Sequence, residues 1–411
     1  MEENGEKMKR KPIFTALLFF ITLFVPLSLF TQDFEMDGTV LVEYHGDEEN
    51  VIIPAGVTVI GGGAFSYSTL TNVTIPSSVT SIEEGAFSYC RNLTSVTMPS
   101  SVTSIGFGAF YDCENLTNIT IPSGVTSIGK EAFFRCRSLT SLIIPESVVS
   151  IGKRAFAACE SLTSLTIPSS VTSIEEGTFA FCESLTSVTI PSGVTSIKHF
   201  AFSGCTSLAS ITIPSSVTSI GAYAFDHTAW LNSQPDGLVY LNKILYTYKG
   251  TTPAKINNIR ADTIAIADSA FHITFLIDVY KEDDDAFTDS SNLTSVIIPS
   301  SVISIGKEAF AGCENLTSVT IPLGVVSIGN SAFYGCRSLT GVIIPASVTS
   351  IGDGAFEWCD DITDIIIPSS VISVGSEAFA DCYSLKTVTI SRKTTIGEDA
   401  FPATARIIYS D

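Results

Sequence analysis

Histidine is almost missing from this chain: His45, His199, His227 and His272 are the only four in 411 residues, and none stands in a nucleophile motif. No CxxC pair accompanies them, so zinc chemistry has no ligand set to start from. Cations are scarce as well, with 22 Lys and Arg against 42 Asp and Glu and a formal net charge of -20. Such a surface repels a phosphate backbone and an anionic bilayer, which excludes nucleic acid and leaves membrane contact to a dedicated segment only. Charged residues make up only 16% of the chain, against 45% hydrophobic, far from the composition of a disordered polymer.

Long apolar runs are limited to one. Lys7, Lys9, Arg10 and Lys11 precede "IFTALLFFITLFVPLSLF", residues 13–30, after which the sequence turns polar. Residues 1–32 therefore read as an export signal, either cleaved or kept as an anchor helix, with the basic flank inside and the rest of the chain outside.

What fills the rest is one sentence repeated. "ENLTSVTIPLGVVSIGNSAFYGC", residues 314–336, recurs with small edits, and its proline falls at Pro76, Pro99, Pro122, Pro145, Pro168, Pro191 and Pro214, then at Pro299, Pro322, Pro345 and Pro368. A fixed step of 23 residues is the signature of a solenoid with one coil per repeat. Val319 and Ile321 alternate with Ser318 and Thr320, the period of a half-buried strand, and proline closes it because it has no N–H for a ladder. "VVSI" predicts a second short strand, and the Ala-Phe segment has room for no more than a helical turn. One coil alone cannot repay its ordering entropy, so stability must come from stacked neighbours and capped ends. About thirteen such coils at ~4.8 Å give a rod of ~60–70 Å.

Between Phe225 and Leu293 the sentence breaks. "LYTYKGTTPAKINNIRADTIAIADSAF" echoes "LVEYHGDEENVIIPAGVTVIGGGAF" near the N-terminus, and Phe271 to Phe287 is read as a truncated coil carrying the acidic run Glu282 to Asp285, with the regular spacing resuming at Phe287. The expected organisation is a signal or anchor over 1–32, an N-terminal cap over 33–60, a first repeat block over 61–225, an irregular cap-like insertion over 226–291, and a second block with its C-terminal cap over 292–411.

The consensus "CxxLTSVTIPSSVTSIGxxAFxxC" resembles the BspA-like, treponeme-type leucine-rich repeats over residues 40–411. The resemblance implies a mainly β solenoid with a parallel strand stack and short helical turns. It also implies an exported surface protein of a group whose members are linked to attachment to host matrix proteins or other cells.

Ten cysteines, Cys90, Cys113, Cys136, Cys159, Cys182, Cys205, Cys313, Cys336, Cys359 and Cys382, each follow the repeat phenylalanine by three residues, and Ser68, Thr228 and Ser290 take the same slot elsewhere. Residues that cannot pair share the rung, so a buried column of free thiols is expected rather than disulfides. Ser and Thr flank the strand valine, as at Ser95 and Thr97, and form a uniform outer face. Phe107, Tyr111, Phe134, Phe181, Tyr223 and Trp358 stand around the Ala-Phe turn, while Trp230, Tyr240, Tyr246 and Tyr248 concentrate in the insertion and are the candidate partner-binding set. No catalytic, cofactor or metal site is expected. The function anticipated is a non-enzymatic scaffold binding extracellular proteins or glycoconjugates, a cell-surface adhesin; a ligand-free spacer and a glycan-binding protein or enzyme are the other classes.

Overall fold

The structure, a computed structural model, describes residues 33–272 and 292–410. The expected signal or anchor, Phe287, Ser290 and the run Glu282 to Asp285 lie outside the described residues. The fold is a parallel β-solenoid of about 15 turns with almost no helix. Each regular coil lays down a three-residue strand such as Ser95–Thr97 and a two-residue strand such as Ser104–Ile105. Both pair in parallel, in register, with the same segments of adjacent coils, Ser95 with Asn118 and Ser104 with Ser127. The alternation does what the sequence implies: Val96 is buried while Ser95 and Thr97 are exposed. At ~4.8 Å per coil the rod is ~70 Å long. Two of its turns are irregular.

Those two turns are antiparallel hairpins. Phe34–Asp37 pairs with Val40–Tyr44, and Gly237–Leu241 pairs with Ile244–Lys249, each with a bulge two pairs from the turn. The second strand of each then enters the parallel stack, Val40 opposite Val59 and Ile244 opposite Ala265. The second hairpin is a wall between two cores. Val239 and Leu241 pack into the cluster of the first block, and Leu238 and Tyr240 against that of the second. A backbone bond from Asp268 N to Ile220 O spans the same junction.

An aromatic column runs through the interior. Phe34, Tyr44 and Phe65 begin it, and neighbouring phenylalanines from Phe65 to Phe225 lie 4.9–5.8 Å apart, most within 8° of parallel. Offset stacking of this kind adds about 0.5–1.5 kcal/mol per pair beyond burial. The column then turns edge-on at Tyr246, 76° from Phe225, and resumes from Phe271. Phe271 stacks directly on Phe310, 4.9 Å away. Ala265–Ile266 likewise pairs with Ser304–Ile305, and the expected truncated coil at Phe287 lies outside the described residues.

The Ala-Phe segment forms successive turns, Ser66 N to Gly63 O and Ser68 N to Phe65 O, instead of a helix. Two residues with left-handed backbone flank each buried ring. Gly85 (φ 60°) and Tyr89 (φ 59°) bracket Phe87, and Glu131 (φ 55°) and Arg135 (φ 60°) bracket Phe133. For non-glycine residues this conformation costs of order 1–3 kcal/mol, which burial of the intervening ring offsets. On the other side the three-residue strand is lost at 341–343, where Gly341 replaces the usual Ser or Asn, and one sheet ends at Ser318–Thr320 while the next begins at Asp364–Ile366.

Candidate functional site

All ten cysteines are buried and free. Each thiol with a resolved bond reaches across to the preceding coil. Cys90 Sγ donates to Phe65 O at 2.9 Å, Cys113 to Phe87 O at 3.1 Å and Cys382 to Phe356 O at 3.1 Å. The slot is therefore more than small: it supplies a second donor, from the next coil, to a carbonyl that already accepts from the backbone of its own turn, as Phe65 O does from Ser68 N. Thr228 in the same slot bonds differently, donating to Phe225 O of its own coil at 2.7 Å. Burial pushes the thiols of Cys90, Cys159 and Cys382 up to about 12.

The aromatic set of the insertion is mostly structural. Tyr246 is only 2% exposed, and its hydroxyl accepts from Phe225 N at 2.9 Å and donates to Asp226 Oδ1 at 3.2 Å. That burial removes Tyr246 from the partner-binding set. Trp230 sits on the helix Ala229–Ser233, capped by Thr228, half-buried against the first core. Tyr240 and Tyr248 pack against the second core, and Arg260 lies 4.9 Å over the Tyr240 ring. Trp230, Tyr240 and Tyr248 each keep an outer edge.

Two histidine–carboxylate pairs lie near the junction of the two blocks. His199 Nε2 lies 3.4 Å from Asp268 Oδ2, and His199 Nδ1 accepts from Ala222 N, linking the first block to the second hairpin's coil. His272, its pKa lowered by burial, faces Glu308 at 4.0 Å. Glu35, Glu43 and His45 gather at the first hairpin but are fully at the surface.

Two exposed features depart from the repeat. The outer strand face is not uniform, because Ile52, Ile143, Ile297, Ile343 and Ile366 stand where Thr97 does, 61–84% exposed. At the turn side of the first coils, Tyr67 stacks on Tyr89 at 4.6 Å and Tyr111 on Phe134 at 5.0 Å, but Tyr89 and Tyr111 are tilted by 52°. A cleft of about 240 Å³ opens beside the tilted pair, lined also by Glu84, Gly85, Ser88, Phe107 and Gly108. Phe107, Tyr111 and Phe134 are conspicuous in the sequence. Tyr67, Tyr89 and the glycines are not; the signal was the dipeptide series Gly62-Gly63, Glu84-Gly85, Phe107-Gly108 at one repeat position.

A family model described as the BspA type leucine rich repeat region matches residues 44–142, 126–234 and 282–407, most of the chain. The chain belongs to the BspA-type leucine-rich repeat family. Among solved members of similar fold is a leucine rich cell surface protein from Faecalibacterium prausnitzii, 33% identical, with 86% of this chain and 92% of that one covered and a TM-score of 0.43. A leucine-rich repeat protein from Bacteroides ovatus is 26% identical over 91% and 94% of the two chains, TM-score 0.45. The leucine rich repeat protein of T. pallidum is 25% identical over 48% of this chain and 88% of its own, TM-score 0.38. No curated protein matches the chain. Within this BspA-type solenoid the thiols and the phenylalanine column form the repeated interior of the coils, and the exposed departures just described are what distinguishes one coil from another.

Proposed function

We propose that this chain is a non-catalytic scaffold displayed at the cell surface, where it attaches to proteins of a host or of neighbouring cells. The observation that carries this is the division of each coil: every large side chain of the repeat goes inside, and what remains outside is a stiff stack ~70 Å long whose individuality lies in exposed isoleucines and aromatics. Family membership supports a protein-binding role, and a 33% identical relative is described as a cell surface protein. The basic flank and apolar run of residues 7–30 supply the route outward. Capture by the purified chain, immobilised and challenged separately with matrix proteins and surface glycans, tests the proposal. Saturable capture of a protein is expected; capture of glycans alone would replace the protein partner with a carbohydrate one, and no saturable capture in either class would leave a spacer.

A further inference from the structure

The cleft between Tyr89 and Tyr111 has a chemistry of its own. In most later coils the residue two before the buried phenylalanine carries a side chain, such as Glu131, Arg154, Phe200 or Tyr223, held in the left-handed region, with Gly177 and Gly354 as isolated exceptions. In the first coils it is Gly63, Gly85 and Gly108, at φ 70°, 60° and 55°. The substitution lowers the base of the surface over adjacent coils. Above that base the aromatic column changes position, from two residues after the buried ring at Tyr67 and Tyr89 to one residue after it at Tyr111 and Phe134. The shift breaks the stack: Tyr89 is parallel to Tyr67 and Tyr111 nearly parallel to Phe134, and between them the rings splay by 52°. The wedge so formed, lined also by Phe107 and Glu84, is an aromatic recess with a carboxylate beside it.

Ring faces attract cations through their quadrupole, and a nearby carboxylate adds direct attraction. The chain's own cations show the preference around this recess. Lys130 Nζ lies 5.3 Å from the Phe107 centroid, Arg135 lies 5.4 Å over Phe134, and Arg91 lies 6.0 Å over Tyr89 while bound to Asp112 at 2.7 Å. Lys130 and Arg135 belong to the coil of Phe133 and Arg91 to that of Tyr89, so none of the three precedes the recess in the chain. On the other side the field is wholly acidic: between Lys11 and Arg91 there is no Lys or Arg, while Asp33, Glu35, Asp37, Glu43, Asp47, Glu48, Glu49, Glu83 and Glu84 all lie there. A cation approaching from the N-terminal end meets favourable potential up to the recess.

We infer that the recess formed by Tyr89, Tyr111, Phe107 and Glu84 over Gly85 and Gly108 is a docking site for a lysine or arginine side chain of a basic partner polypeptide. This rests on the protein-binding reading and names the partner's chemistry. The probe is fluorescein-labelled hexa-lysine, titrated with the full chain in mild non-ionic detergent and followed by anisotropy. Its acetylated counterpart, which keeps the stem and loses the charge, is the control. Saturable binding of hexa-lysine and at least tenfold weaker binding of the acetylated peptide are expected.

Tyr89→Ala combined with Tyr111→Ala leaves every charge in place, so an expected tenfold or greater loss is not Coulombic in origin. Tyr89→Phe with Tyr111→Phe keeps the faces and should bind as the parent does. Gly108→Gln, a side chain of the size other coils carry at that position, should block the recess without touching the rings. Unchanged melting in each variant guards against misfolding. Binding of the double alanine variant within twofold of the parent overturns the inference, as does absence of saturable hexa-lysine binding. Either result leaves the protein-capture experiment standing, so failure of the site and failure of the scaffold proposal are distinguishable.

Discussion

Replacing Cys159 by serine separates a buried thiol from an ordinary one through the pH dependence of stability. In the folded chain burial pushes Cys159 from 9.0 up to about 12, so the native state keeps its proton throughout the range in which the unfolded chain loses it. Above pH 9 the unfolded state binds fewer protons than the native one, and stability falls as pH rises. Between pH 9 and pH 12 the fall is about 1.4 kcal/mol per pH unit for each such thiol, or ~4 kcal/mol per unit for Cys90, Cys159 and Cys382 together. Cys159→Ser removes one share of that slope, whatever constant offset the hydroxyl introduces by replacing the bond to Phe133 O, 3.4 Å long in the parent. Urea unfolding at pH 8, 9, 10 and 10.5 under reductant gives the slopes directly. Parallel curves for parent and variant would refute the buried thiol, because an exposed or bridged cysteine contributes no such difference.

The stacked interior predicts a positional effect: Phe133→Ala, with rings 5.2 Å away on both sides, should cost about 3–5 kcal/mol in urea unfolding. Phe401→Ala, at the last coil and half-buried, should cost much less, and equal losses would contradict the column as a shared core. Deleting Asp226 to Phe287 removes the second hairpin and its coil and brings the regular coil of Phe225 against that of Phe310, so a cooperative melt by circular dichroism is expected. If that shortened chain stays folded but no longer captures its protein, the contact lies on Trp230, Tyr240 and Tyr248; undiminished capture moves it to the regular blocks.

The coil was legible because its physics is local and repeated. The alternation around Val319, the proline that ends the strand and the 23-residue step leave one arrangement in which Phe333 and Cys336 can be buried. Pattern alone did not reveal the antiparallel course of Phe34–Asp37, since a strand's direction depends on which neighbour it meets and not on its own residues. The stacking of Phe271 on Phe310 across 39 positions is not legible in the spacing either, because ring contact and not the 23-residue step decides it. The thiol's bond to the preceding coil was hidden by treating cysteine as a small apolar filler. The recess at Tyr89 escaped notice because its cause is a pair of glycines at left-handed positions, and a glycine in a repeat reads as a turn before it reads as a missing side chain.

The parallel pairing also fixes how the rod responds to tension. Ladder bonds such as those joining Ser95 to Asn118 run along the rod axis, so a pull between the two ends loads them in series. Coils then detach singly from an end, each releasing 23 residues that extend to roughly 75 Å in place of ~4.8 Å of rod. The junction from Phe271 to Phe310 holds a longer length of chain and gives a longer step. A chain pulled at both ends would thus lengthen in increments, and the force at which a coil detaches would cap the tension that either end feels.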